Sequence, residues 1–573
     1  MLGLGAADLA TLVLYFVVVT LAGLWTARSI KNTADFFIGG RRFGKIFMIF
    51  FAFGAGTSGN DAVGVASKTY TAGFSGIWWQ WLWLFCTPFY WLIAPVMRRM
   101  RCITTGDYFE HRYDGSVAGL YALTGVLQLT FNIGVILLGA GSMVEAITNG
   151  ALHRDLAILV MTVLFVIYGM AGGLAAAIVT DFLQGVLTVV LSFMLLPFAL
   201  NAVGGFAGLH EKIGNEEMFH IVAPGEINGF YILMLCASAL IGIVTQPHIM
   251  GVCAAGESEM NGRVGFATGN LLKRFCTVAW MVVGMCGIVL YPGLEGSTPE
   301  MMKARDMIFG NVARDLLPAV MPGLLGLFLA ALLASVMSSC DAFMVSCSGL
   351  FTQNFYRRWI ARDKDEKHYV WVGRFAALAV VLGGLAFAFS VSSVPKGLLI
   401  FFKLQAIMGP AFWLGLFWRR TTSAGAWAAT LVCIALILYF NLSTSIHGWA
   451  VAHLPEYMVW EGKFRESWQI FCILAGGFST GILVSLVTPR VAKKKLDRVY
   501  TCIATPVLPG EPHGTGAFVL PEGVKPHTPR KIIDHPDFEI YWPSKVSLIG
   551  FAILWGWVFA LIGFVYWMAT WGV

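Results

Sequence analysis

Six residues in one apolar stretch carry the side chains best able to hold an ion: Ser335, Ser338, Ser339, Asp341, Ser346 and Ser348, within Ala331–Leu350. At 100° per residue, Ser335, Ser338, Ser339 and Ser346 share one helix face and Asp341 borders it. The apolar run around them begins near Gly323 and is long enough as helix to span a bilayer, which takes roughly 20 residues. A carboxylate at that depth costs about 2.5–3.5 kcal/mol, so it persists where it meets a cavity, a partner or an ion. Two chemistries are open. Serines let helices pack closely and bond across to one another. Hydroxyls, carbonyls and carboxylates together also make an all-oxygen site for a small hard cation.

Two other stretches combine polar residues with helix breakers. Residues 46–66 hold Gly54, Gly56 and Gly59, followed by Asn60 and Asp61. Each glycine costs about 1 kcal/mol against alanine in a helix. Three beside a carboxylate predict an interruption that frees carbonyls to line a cavity; a close-packing small-residue face is the plainer alternative. Residues 229–250 are interrupted by Gly242, Thr245, Gln246, Pro247 and His248. Proline removes a helix hydrogen bond and disfavours helix in the residue before it. Interruptions at matching places in two halves point to an inverted-repeat transporter with a midplane site.

The elements that must position these residues follow from composition. Only 12% of the 573 residues are charged, 57% are hydrophobic, and mean hydropathy is +0.73. Soluble domains carry about 25% charged residues, so the chain is an all-α, polytopic membrane protein embedded in a lipid bilayer. About fourteen apolar runs are long enough to span. The net charge of +7 comes from basic residues in short loops, where they set topology; it predicts no nucleic-acid partner. With both termini outside, most Lys and Arg fall on cytoplasmic segments. Asp8 precedes any basic residue, so the first run is expected to be a retained span and not a signal peptide. The 11 cysteines lack metal-ligand spacing and read as buried small hydrophobes. The expected organisation is a leading helix and cytoplasmic loop (1–42) and a transport core (43–417) made of repeats 43–202 and 229–417. Two accessory helices (418–487), a cytoplasmic loop (488–545) and a final helix (546–573) follow.

Several motifs in this order resemble the sodium/solute symporter family, whose members include sugar, sialic acid, proline and pantothenate carriers. They are ADFFIGGRRFG (34–44), GGLAAAIVTDFLQG (172–185), AALLASVMSSCDAF (330–343) and GPAFWLGLFWRRTTSAGA (409–426). TQPHI (245–249) is most similar to the proline-type carriers. The resemblance implies a five-plus-five inverted-repeat fold, with its first and sixth core helices broken. It implies a principal sodium site from the carbonyls of Gly54, Thr57 and Ser335 and the hydroxyls of Ser338 and Ser339. Asp181 matches the aspartate that holds a second sodium in some members, with Ser338 and Asp341 nearby; a proton relay through either carboxylate is the rival. Positions matching its solute contacts are Gly56, Ser58, Asp61 and Gln80.

Further polar residues within spans extend the solute set. Asn132 and Gln128 are placed to line the cavity, as is Thr245 at the second interruption. Lys403 lies in an apolar run and is expected either to pair with Asp61 or to hold the other end of a zwitterion. The expected function is sodium-coupled import of a small polar organic solute by alternating access, with an amino acid or small carboxylate favoured over a sugar. The alternatives are a proton-coupled carrier, a membrane solute sensor, a channel or a membrane enzyme. No kinase-like region follows residue 487, and no nucleophile–base pair supports an enzyme. Monomer and homodimer both remain open.

Overall fold

The computed structural model describes residues 4–27, 41, 43–223, 227–391, 393–442, 444–508, 511 and 516–572. Most of the loop expected within 28–42, including Ala34–Gly40 of the first family-like motif, lies outside them. The chain is 77% helical. Among the described residues, nine helices are long and apolar enough to cross a membrane, or eleven if each of two bent pairs is one span.

A leading helix α1 (Ala6–Ala27) precedes the first bent pair, α2 (Lys45–Ala55) and α3 (Gly59–Ala72). Then come α4 (Thr87–Arg99), α5 (Gly115–Ile147) and α6 (Arg154–Met194). The second bent pair is α7 (Gly229–Ile243) and α8 (Pro247–Ala254), followed by α9 (Glu259–Leu290) and the short α10 (Pro299–Asp306). The remaining core helices are α11 (Leu324–Leu350), α12 (Glu366–Ser390), α13 (Val394–Leu404) and α14 (Gly409–Phe417). Outside them stand α15 (Ser423–Leu442), α16 (Glu466–Val487), α17 (Lys493–Ala504) and α18 (Lys545–Met568).

Both breaks fall where glycine and proline predict them. The α2–α3 pair bends by 52° and the α7–α8 pair by 67°. Helix α2 ends at Gly56; α3 starts from Ser58 in extended conformation (φ −136°, ψ 164°). Asp61 accepts the Ser58 N–H at 3.0 Å, placing a carboxylate at the positive end of the new half-helix. At the second break Pro247 opens α8, where its missing N–H costs nothing. Thr245 Oγ1 donates to Gly242 O at 2.8 Å and to Gln405 O at 3.0 Å. Gly242 must be glycine-sized, because a Cβ there would stand 2.8 Å from Gln405 O.

Two stretches differ from the sequence reading and one is refined. Residues 395–417, expected as one span, form one over Val394–Phe417, with a helix break between Leu404 and Gly409. Pro410 can sit at the start of α14 but not inside a helix. Residues 155–171 and 174–202, expected as two spans, are helical without interruption over Arg154–Met194. Glycines without a proline leave the backbone hydrogen bonds in place. The 488–545 segment, expected as a loop, contains α17 and packs on the ends of core helices. Arg101 pairs with Glu511 through two bonds of 2.5 and 2.8 Å, and Phe518 N–H donates to Met100 O at 3.0 Å.

Candidate functional site

The first cluster lies where α2 ends against α11. Ser339 Oγ is 2.8 Å from Gly54 O and 3.2 Å from Thr57 O, so its hydroxyl donates to carbonyls at the break. Ser338 packs on the same glycine. A methyl group on Gly54 would collide with Ser338 Oγ and stand 3.5 Å from Asp181 Cγ. Glycine at 54 therefore lets α2, α6 and α11 meet at one point. The Ser335 hydroxyl turns back to Leu332 O at 2.7 Å; the expectation for Ser335 concerned its carbonyl. Thr57 Oγ1 has no hydrogen-bond partner among the described residues. Gly54, Thr57, Ser338, Ser339 and Asp181 thus bring carbonyl, hydroxyl and carboxylate oxygens together in a buried place, a donor set suited to sodium.

Asp181 and Asp341 are electrostatic neighbours. Tyr15 of α1 stands beside both carboxylates. Its hydroxyl lies 3.3 Å from Gln184 Nε2 and 3.5 Å from Met337 Sδ. Tyr15 was not among the candidates from sequence, because nothing in an apolar helix marks one tyrosine as facing inward.

The second cluster is a cavity beside the α2–α3 break. Gly56, Ser58, Asp61, Gln80 and Asn132 line it, together with Ser339 from the first cluster. Asp61 is saturated. Besides the Ser58 N–H, it accepts Gln80 Nε2 at 2.6 Å and lies 2.8 Å from Lys273 Nζ. Lys273 also donates to Gly56 O at the break. Arg274, next to it on α9, donates to Gln80 O at 2.6 Å. Both cations sit over the Trp83 ring, 5.6 and 5.7 Å from its centroid. His248 also lines the cavity, 4.7 Å from Phe343 between ring centres.

Three expected solute residues lie elsewhere. Lys403 does not meet Asp61. Its Nζ bonds Asn441 Oδ1 and Gln469 Oε1, both at 3.2 Å, with Glu466 at 3.9 Å, so the accessory helices α15 and α16 satisfy it. Thr245 joins Gln128 and Gln405 around a separate, smaller space. Lys273 and Arg274 are not among the residues singled out from sequence, because two adjacent cations beside an apolar run carry no sign of their depth. The observed helix begins at Glu259, which puts both residues at its middle.

A sequence model of the sodium:solute symporter family matches residues 36–433. Rabbit sodium/glucose cotransporter 1 is 27% identical over 480 residues, covering 74% of this chain and 70% of its own. The high-affinity proline transporter of Bacillus subtilis is 26% identical over 463 residues, covering 76% of this chain and 91% of its own. Among solved structures, a sodium-coupled sialic acid symporter in a substrate-bound outward-open state superposes with a TM-score of 0.70. It is 17% identical and covers 85% of this chain and 99% of its own. A nucleobase-cation-symport-1 family transporter has the same fold at a TM-score of 0.50 and 12% identity, covering 82% of this chain and 98% of its own.

Proposed function

Because the chain belongs to the sodium:solute symporter family, we propose that it is a sodium-coupled symporter that imports a small polar organic solute by alternating access. The observation that carries this reading is Ser339. Its hydroxyl contacts the Gly54 and Thr57 carbonyls, and the same residue lines the solute cavity. Sodium held there joins α2 to α11 and fixes one wall of the cavity, so sodium and solute each raise the affinity for the other. A second sodium takes Asp181, with Ser338 and Asp341 beside it. The basic loops face the cytoplasm, and both termini face outward. One charge crossing 100 mV supplies about 2.3 kcal/mol and a tenfold sodium gradient about 1.4 kcal/mol. Together these give roughly 500-fold accumulation of a neutral solute per sodium.

Uptake into proteoliposomes tests the reading. Ser338→Ala combined with Ser339→Ala should raise the sodium concentration for half-maximal uptake at least tenfold, with uptake still saturable in solute. Unchanged sodium dependence in that variant sinks the site assignment. The buried Asp181–Asp341 neighbourhood favours one rival, a coupled proton. A proton gradient that drives uptake in sodium-free buffer would establish it.

A further inference from the structure

We infer that the solute is a small organic monocarboxylate and that Lys273 is the residue that anchors its carboxylate. This inference rests on the symport reading above and narrows its solute.

The argument starts from charge. Among the described residues, three charged ones line the cavity: Asp61, Lys273 and Arg274. With His248 neutral, the lining carries a net charge of +1. Asp61 accepts from Ser58 N–H, Gln80 and Lys273, leaving it little capacity for a solute ammonium. An amino acid zwitterion would have to displace Lys273 from it. A sugar would leave the excess positive charge buried and unmatched. A monoanion neutralises it, and buried charges persist where they are paired.

Hydrogen-bond donors point the same way. A lysine ammonium has three donors. Two of those on Lys273 are engaged, by Asp61 and by Gly56 O. Arg274 Nε, Tyr90 OH and Trp83 Nε1 have no partner among the described residues, although all three residues are more than nine-tenths buried. Buried polar groups are normally satisfied, and such orphans ask for a ligand. Asn60 Oδ1 and Gln80 Oε1 of the same lining also have no partner among the described residues, so the ligand carries a hydrogen-bond donor as well; the two cations and the unpartnered donors call for a carboxylate as its acceptor. The rest of the wall mixes apolar residues such as Phe266 and Phe401 with polar ones such as Asn60, Asn132 and Gln246, so the body of the solute is short and carries a polar group beside its hydrocarbon. Lys273 also gives the anchor a route to the ion. It holds Gly56 O, between the Gly54 and Thr57 carbonyls that contact Ser339.

The test compares acids with their uncharged isosteres on the purified full chain. Propionate, lactate and pyruvate are titrated against propionamide, lactamide, L-proline and glucose, in sodium and in potassium. Thermal stabilisation and counterflow in proteoliposomes are the readouts. We expect at least one acid to bind at least tenfold more tightly than its amide and than proline or glucose. Lys273→Arg should keep that preference. Lys273→Gln should lose at least tenfold in affinity for the acid. Because Lys273→Gln leaves Asp61 unpaired and can unfold the chain, Lys273→Gln with Asp61→Asn is measured beside it. That double variant keeps the cavity at +1 and should lose acid binding equally. Acid binding retained in the double variant overturns the anchor. A response to proline or glucose with none to the acids overturns the carboxylate assignment and leaves sodium symport intact. An acid-specific shift that is equal in potassium supports the anchor and defeats sodium coupling instead.

Discussion

The cavity and the strap formed by residues 488–545 are both built on buried charge, and they differ in how completely that charge is satisfied. In the strap, Arg101 binds Glu511 through two bonds and also donates to Arg99 O at 2.9 Å. Arg99 grips Glu259 at 2.8 and 3.0 Å, and Val507 N–H reaches the same carboxylate at 2.8 Å. Arg112 spreads its donors over Gly415, Tyr500, Thr421 and Trp418. Around the cavity, Trp83, Tyr90, Arg274 and His248 each keep a polar atom without a partner among the described residues. A network whose charges are paired holds helix ends in one arrangement; one whose polar atoms lack partners is poised for something that arrives.

The largest expected effect breaks the strap. Removing one member of a buried ion pair leaves an uncompensated charge and costs about 3–5 kcal/mol, whereas replacing both with apolar groups is often neutral. Arg101 and Glu511 side chains are 1% and 4% exposed, so the rule applies. Arg101→Met should lower the melting temperature of the detergent-solubilised protein sharply. Arg101→Met with Glu511→Leu should recover most of the loss. If the single variant melts like the parent, the strap is ornament and the contrast with the cavity fails.

The same contrast explains what the sequence made legible. Breaks are local: Gly54, Gly56 and Gly59, or Thr245 to Pro247, weaken a helix wherever it packs, so both interruptions were readable. The serine face of α11 was readable because helical periodicity sets it. Pairings across helices were not. Asp61 and Lys273 are far apart in sequence, and nothing in either neighbourhood names the other. Lys403 stood out as a charge in an apolar run, but its partners Asn441 and Gln469 belong to helices outside the repeat. The break after Leu404 had a signal in Gly409-Pro410, which was read only as part of a family motif. The strap was legible only in part, because a stretch rich in proline, glycine and lysine reads equally as a linker or a packing surface until its Glu511 is seen inside a guanidinium fork.

Asp306 sharpens the comparison from between the two extremes. This carboxylate ends α10 and accepts the Val394 N–H, which opens α13, at 2.8 Å. It lacks the bidentate guanidinium that Glu511 has. In Glu511 burial acts to raise the pKa, but Arg101 outweighs it and the group ends below the ordinary glutamate range. In Asp306 burial wins over the Val394 N–H and Ser67, and the pKa is pushed up to about 7. The folded state therefore prefers the protonated acid. Its contribution is full below the unfolded value of about 3.9 and is lost as pH rises towards 7. Melting temperature should fall between pH 4.5 and 7 by an amount that Asp306→Asn abolishes, since asparagine still accepts the Val394 N–H without ionising. An identical pH profile in parent and variant would remove Asp306 from the account.

The smallest effect isolates the unsaturated side. Tyr90 stacks on Phe266 with ring centres 4.2 Å apart, while its hydroxyl has no partner among the described residues. Phenylalanine keeps the stack and deletes the orphan. In a satisfied network such a deletion costs about 1 kcal/mol. Here it should leave stability unchanged or raise it by up to about 1 kcal/mol, because a buried group without a partner contributes only its desolvation penalty. Solute affinity should move the other way, falling between twofold and tenfold as one donor leaves the ligand's shell. Calorimetric melting and solute titration of Tyr90→Phe measure both. A loss of stability with unchanged affinity would mean that the hydroxyl serves the fold, and the cavity would then differ from the strap in degree only.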